Sequence, residues 1–249
     1  MEVALSASSA QVFDKDIADV TSSSITIDSS ILGFIAGFVD TCVFVGLFGL
    51  FTAHVTGNFV LIGAELVHHS GDVLPKLLAL PVFMLAVAAA AKAVDALRQR
   101  RRNAVVAILV FEALFLFTSA AAAFSLKAAA RSGDASALAI GMLACAAMGL
   151  QNAMMRLELT ALPSTTVMTI NVTQAVIDAV TIVSSTDIQK RNDARARSFR
   201  EWPAIVAFTL GAASGAAGYA FAGLGALAVP AFLCVLLAAR YAGLQHPAP

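Results

Sequence analysis

Residues 29–51 read SSILGFIAGFVDTCVFVGLFGLF, a run in which Asp40 is the one charged residue type. About 20 consecutive apolar residues span the roughly 30 Å hydrocarbon layer of a bilayer. The stretch therefore reads as a membrane-crossing helix that carries a single acid. The rest of the chain has the same character. Of its 249 residues 59% are hydrophobic and only 13% charged, where a soluble domain is about a quarter charged. The expected fold class is all-α, a polytopic membrane protein with no room for a large soluble domain.

Working outward from that run, eight apolar segments follow one another. They are A (Ser29 to Phe51), B (Ala53 to His69), C (Val73 to Leu97), D (Ala104 to Lys127), A′ (Ala135 to Met155), B′ (Ser164 to Ser185), C′ (Pro203 to Ala222) and D′ (Leu224 to Arg240). The order suggests a duplication. Gly37-Phe-Val-Asp40 matches Gly149-Leu-Gln-Asn152 at an offset of 112 residues. Thr56-Gly-Asn58 matches Thr169-Ile-Asn171 at 113, and Glu65 matches Asp178 at the same offset. Polar residues are scarce in these segments, so their coincidence argues for two repeats, 29–127 and 135–240. Residues 1–28 are polar and mildly acidic, without the basic start and apolar core of a signal peptide. They read as a disordered cytoplasmic tail, and 241–249 as a short C-terminal one.

Basic loops face the cytoplasm. Arg98-Gln-Arg-Arg-Arg102 and the stretch from Lys190 to Arg200 are the two clear ones. Segments D, A′ and B′ lie between them. If all three crossed, the basic loops would fall on opposite sides. If B′ is re-entrant or broken, and B with it, both loops are inside, and about six spans remain. Each half then has an odd number of spans, which makes the repeats inverted, as in many secondary transporters. With all eight segments crossing, the repeats would be parallel. On the six-span reading both termini are cytoplasmic, and Lys76, Lys127 and Arg131 fall near the outer face.

An ionisable group at membrane depth is costly unless neutral, paired or hydrated, so Asp40 is a functional candidate. His54-Val-Thr56-Gly-Asn58 opens segment B; its glycine permits a break, and Thr56 and Asn58 can satisfy freed backbone groups. Thr169 and Asn171 would do the same in B′. A half-helix start also suits an anionic group. Gln151, Asn152 and Arg156 form a polar cluster at the end of A′, in which Arg156 could bind an anion or pair with Asp40 or Asp178. Asn171, Gln174 and Asp178 make one polar stripe, expected to face a cavity or a helix rather than lipid. The alternatives for these groups are a helix-packing acid, an ordinary N-cap and an interfacial arginine. Gly211, Gly215 and Gly218 favour close helix packing, within the chain or in a homodimer. Cys42, Cys145 and Cys234 are isolated in apolar runs and read as core. No metal site, cofactor motif or enzyme signature is present, and a net charge of zero leaves no footprint for nucleic acid.

Gly37-Phe-Val-Asp40, His54-Val-Thr-Gly-Asn58 and Gly149-Leu-Gln-Asn-Ala153 with Arg156 resemble the YoaK-like family of bacterial and fungal membrane proteins, defined as domain of unknown function 1275. The resemblance covers about residues 30 to 240. It implies a multi-pass protein of the bacterial inner membrane and brings no settled activity. One departure is Ile170, where the first half has Gly57. The functional expectation is a small transporter or permease for a polar or anionic solute, with Asp40, Thr56, Asn58, Gln151, Asn152, Thr169 and Asn171 lining one site between the halves. The alternative is a channel-like module, or one that binds lipid or a partner.

Overall fold

The computed structural model describes residues 25–68, 73–125 and 134–243, and all its regular structure is helical. In chain order the helices are α1 (Ile25–Gly46), α2 (Gly57–His68), α3 (Val73–Gln99), α4 (Ala104–Ser125), α5 (Ala135–Leu157), α6 (Met168–Ser184), α7 (Ile188–Ala222) and α8 (Ala228–Gly243). Four of them, α1, α3, α4 and α5, are long and apolar enough to cross a membrane, as is the continuous stretch Ile188–Gly243. The protein is thus a multi-pass, membrane-embedded helical bundle. α1 starts at Ile25 rather than Ser29, and the Ser29 and Ser30 hydroxyls both donate back to the Thr26 carbonyl within its first turns. Expectations for residues 1–24 and 244–249, and for Lys127 and Arg131, lie outside the described residues.

The last stretch is too long to be one span. α7 alone, at 1.5 Å per residue, is about 52 Å long, well beyond the hydrocarbon thickness. Asp187 starts it by accepting the Gln189 and Lys190 backbone N–H groups. The basic segment 190–200, expected as a loop, is therefore helical, with Pro203 marking its passage into the apolar half. Arg, Lys, Gln and Ala are all good helix formers, so charge here signals exposure and not irregular backbone. The chain then turns at Gly223 (φ +58°) through a short 3-10 segment, Gly223–Leu227, and returns as α8.

α1 and α5 form the antiparallel centre. The Gln151 amide donates to the Leu32 carbonyl at 3.0 Å near one end, and Leu47 and Leu50 close over Gly141 near the other. Each central helix then pairs in parallel with one helix from the other half of the chain. Gly33 and Gly37 of α1 abut the backbone of Ala204 and Phe208 in α7, while Gly211 and Gly215 of α7 abut Phe34 and Phe38. The glycine stripe therefore serves packing within the chain. Gly149 of α5 meets Phe83 and Ala86 of α3 in the same way. Leu32, Ile35, Val39, Ala144, Ala147 and Met148 fill the seam without exposure.

Polar contacts fix which ends lie together. Asp28 at the start of α1 meets Arg240 and Tyr241 at the end of α8. Asn103, before α4, bonds the Tyr241 carbonyl. Arg98 at the end of α3 bonds Leu157 and Glu158 at the end of α5. The opposite end holds the end of α1 and the start of α3, where Lys76 donates to the Phe48 carbonyl. Lys76, expected near the outer face, lies at this end, away from the basic residues, and is buried and paired with Glu65 at 2.6 Å.

Candidate functional site

After α1 the chain reverses at Phe48 and Gly49, both with positive φ, a conformation that glycine adopts without steric cost. Residues 50–56 then run back alongside α1 to the level of Asp40, and α2 rises again toward Lys76. At about 18 Å, α2 is too short to cross. The reversal is held by one carboxylate. Asp40 Oδ1 accepts from the Thr52 N–H (2.7 Å), the Ala53 N–H (2.8 Å) and the Thr52 hydroxyl (3.1 Å). Its Oδ2 meets His54 Nδ1 at 2.7 Å. The Asp40 side chain is 5% exposed and His54 33%, so the imidazole is the part of this pair that reaches out. The His54 ring sits edge-on to Phe208 of α7, centroids 5.5 Å apart.

Asn58 closes the same loop from its other side. Its carbonyl accepts from the Phe51 N–H (2.9 Å) and its amide donates to the Phe51 carbonyl (2.8 Å). Asn58→Ala would leave the part-buried Phe51 N–H without its partner and its carbonyl with only the Cys145 thiol at 4.0 Å. About 2 kcal/mol of lost stability is expected, read as a lowered thermal unfolding midpoint of the purified protein.

Residues at the same offsets in the second half also bond to one another, through fewer and partly different atoms. Asn152, the counterpart of Asp40, accepts from the hydroxyl of Thr166, the counterpart of Ala53. Asn171, the counterpart of Asn58, donates to the carbonyl of Ser164, the counterpart of Phe51, at 2.6 Å. Gln151 adds a bond to Thr165 at 2.9 Å. The stripe acids match as well: Glu65 pairs with Lys76 at the start of α3, and Asp178, fully buried, takes Arg197 of α7 at 2.6 Å.

Not every expected residue joins in. Thr56 and Thr169 are exposed and contribute no side-chain bond to either loop. The working hydroxyls are those of Thr52, Thr165 and Thr166, nearer the reversal. Nor do the two sets merge into one site. Each anchors its own loop, and among the described residues no hydrogen bond joins the Asp40 set to the Asn152 set. Asp178 is taken up by Arg197, and Arg156 pairs with neither acid. The departure at Ile170 has a packing reason. A Cβ on Gly57 would lie 3.0 Å from the Phe51 ring, whereas Ser164 in the second half needs no such room.

Three concavities differ in kind. One of about 510 Å³ lies between α3, α4 and α5 and is lined by Ala, Leu, Phe, Val and Ile. Another, of about 440 Å³, lies between α6 and α7 beside Arg195, Phe199 and Trp202. A small one of about 130 Å³ lies at the end of α5 and has a mixed lining, with Asn152, Arg156, Thr160 and Ser164 beside Met155 and Leu162. Away from these, Glu112 is fully buried in α4 facing the Cys234 thiol of α8.

The family model described as protein of unknown function (DUF1275) matches residues 29–240, which include both loops and every anchoring residue above. The chain belongs to the DUF1275 family. That description carries no activity, and the narrower YoaK-like label is not part of the match. Neither the curated proteins nor the solved structures contain a match to this chain. The DUF1275 boundaries begin after the first turn of α1 and end at Arg240, so the family's shared unit is the helical bundle itself.

Proposed function

We propose that the protein is a small secondary transporter, or permease, for a small polar or anionic solute. α1, α3, α4, α5, the apolar half of α7, and α8 cross the bilayer, and α2 and α6 do not. The two halves are an inverted duplication, a construction that suits alternating access. Basic residues gather at one end of the bundle, at 98–102, Arg156, 190–200 and Arg240, which makes that end cytoplasmic and both termini internal. The bacterial inner membrane is the compartment that fits.

The observation that carries this reading is the Asp40–His54 pair on an inturned loop. Asp40 Oδ1 is fully occupied by three donors, so its carboxylate is held in place and does not move. His54 is anchored through Nδ1 and keeps Nε2 for a proton or a solute. Histidine is the side chain whose unperturbed titration lies in the physiological range. His54, positioned by Asp40, is then the coupling group, and Asp40 serves as its positioning residue.

Purified protein in proteoliposomes, given a panel of small labelled acids and polar solutes with and without a pH gradient, tests this. Gradient-dependent uptake is expected, and His54→Gln should reduce it at least ten-fold with the unfolding temperature unchanged. Uptake absent across the panel, or indifferent to His54, would remove the reading. A channel-like or non-transporting module is the alternative. It is favoured by the way each loop satisfies its own hydrogen bonds, as a purely structural element would.

A further inference from the structure

The two loops have the same frame but differently filled mouths. In the first half Phe44 packs against Phe51, with ring centroids 4.6 Å apart and the rings tilted by 39°. Their counterparts by the repeat offsets, 112 and 113, are Arg156 and Ser164. Where two rings close the first loop, the second has an arginine, a serine and a cavity of about 130 Å³. We infer that this cavity is a binding site for a small oxyanion, with Arg156 as its charged ligand.

The donor inventory supports that chemistry. Arg156 is exposed and makes no ion pair or hydrogen bond among the described residues. Arg98, Arg197 and Arg240 at this end of the bundle are by contrast paired, with Glu158, Asp178 and Asp28. Asn152 uses its carbonyl for Thr166 and donates to the Met148 carbonyl, which leaves one amide hydrogen. The Ser164 hydroxyl accepts from the Val167 N–H and retains its own hydrogen, as does Thr160. The wall contains no carboxylate, and the nearby Glu158 is neutralised by Arg98. A guanidinium with amide and hydroxyl donors around a space of this size matches a carboxylate, phosphate or sulfate group. A free anion and a lipid phosphate share that chemistry.

As the identity of the solute's anionic end, this site rests on the transport reading. As a binding site it can be measured without transport, so either can fail alone. Thermal unfolding of the full chain in zwitterionic nanodiscs would be followed against inorganic phosphate, sulfate and acetate at constant ionic strength. A parallel arm replaces part of the lipid with phosphatidic acid. Saturable stabilisation by at least one anion is expected, or by phosphatidic acid alone if a headgroup is the occupant. The affinity should fall at least ten-fold in Arg156→Gln and less in Arg156→Lys. The double variant Arg156→Phe, Ser164→Phe copies the first half's ring pair. It should unfold at the wild-type temperature without anion and no longer respond to one. No saturable response in wild type, or an equal response in the ring-pair variant, would overturn the assignment.

Discussion

Replacing Asp40 with Ala should destabilise the folded protein by about 3–5 kcal/mol, the range for breaking a buried charged pair by removing one partner. Three donors lose their acceptor together, two of them backbone N–H groups in a loop that cannot turn to water. His54 loses its anchor as well. Each unsatisfied buried group costs about 1–3 kcal/mol, which the apolar burial of Leu50, Ala53 and Val55 in the same loop offsets only in part. Asp40→Asn should behave differently. It keeps an oxygen for Thr52 and Ala53, much as Asn152 keeps one for the Thr166 hydroxyl in the second half. That variant should fold, and if the protein is the proposed transporter its pH-dependent uptake should be lost, because a neutral amide no longer gives His54 a charged partner. Thermal unfolding of both variants separates the two roles. Equal instability of the two would mean that Asp40 is structural only.

The second large effect belongs to the α1–α7 seam. A Cβ built on Gly37 would lie 2.2 Å from the Phe208 carbonyl oxygen, and one on Gly211 would lie 2.2 Å from that of Phe34. Both obstacles are backbone of the facing helix, so no rotamer change relieves them and the helices must part. Overpacking a fitted core typically costs about 1–3 kcal/mol, and here the whole seam is disturbed. Gly211→Ala should fall at the upper end of that range, and Gly211→Leu should leave little folded protein in size-exclusion chromatography after extraction. Gly63→Ala is the control. Nothing lies within 4 Å of its Cβ position, and its unfolding should match or slightly exceed wild type, since Ala is the better helix former.

What the sequence reveals of this fold follows from the bilayer's demands. Apolar length alone marks the limits of α3, α4 and α5 to within a few residues. The rarity of polar residues in such runs makes the offsets between Asp40 and Asn152, Asn58 and Asn171, and Glu65 and Asp178 legible, and each pair plays matching parts. The threonines are misassigned because a reversing loop has no periodicity from which to read side-chain direction. Thr56 sits nearest the glycine, yet the chain turns at Phe48 and Gly49, which brings Thr52 onto Asp40. The basic segment 190–200 is misread because charge density argues for exposure and says nothing against a capped helix. The contrast between Phe44 with Phe51 and Arg156 with Ser164 is invisible to motif reading, since these residues differ between the halves. Only the shared loop frame makes them counterparts.

The arrangement of the halves can be tested most directly by sidedness. Single cysteines would be introduced at positions 100, 193 and 134. Native Cys42, Cys145 and Cys234 are buried and should stay silent toward a membrane-impermeant maleimide. Two inturned loops require that positions 100 and 193 lie on one face of the membrane and 134 on the other. Intact cells should then label 134 alone, with 100 and 193 reacting only after permeabilisation. Labelling of 100 and 193 from opposite sides would mean that α6 crosses the membrane, and would rule out the inverted halves.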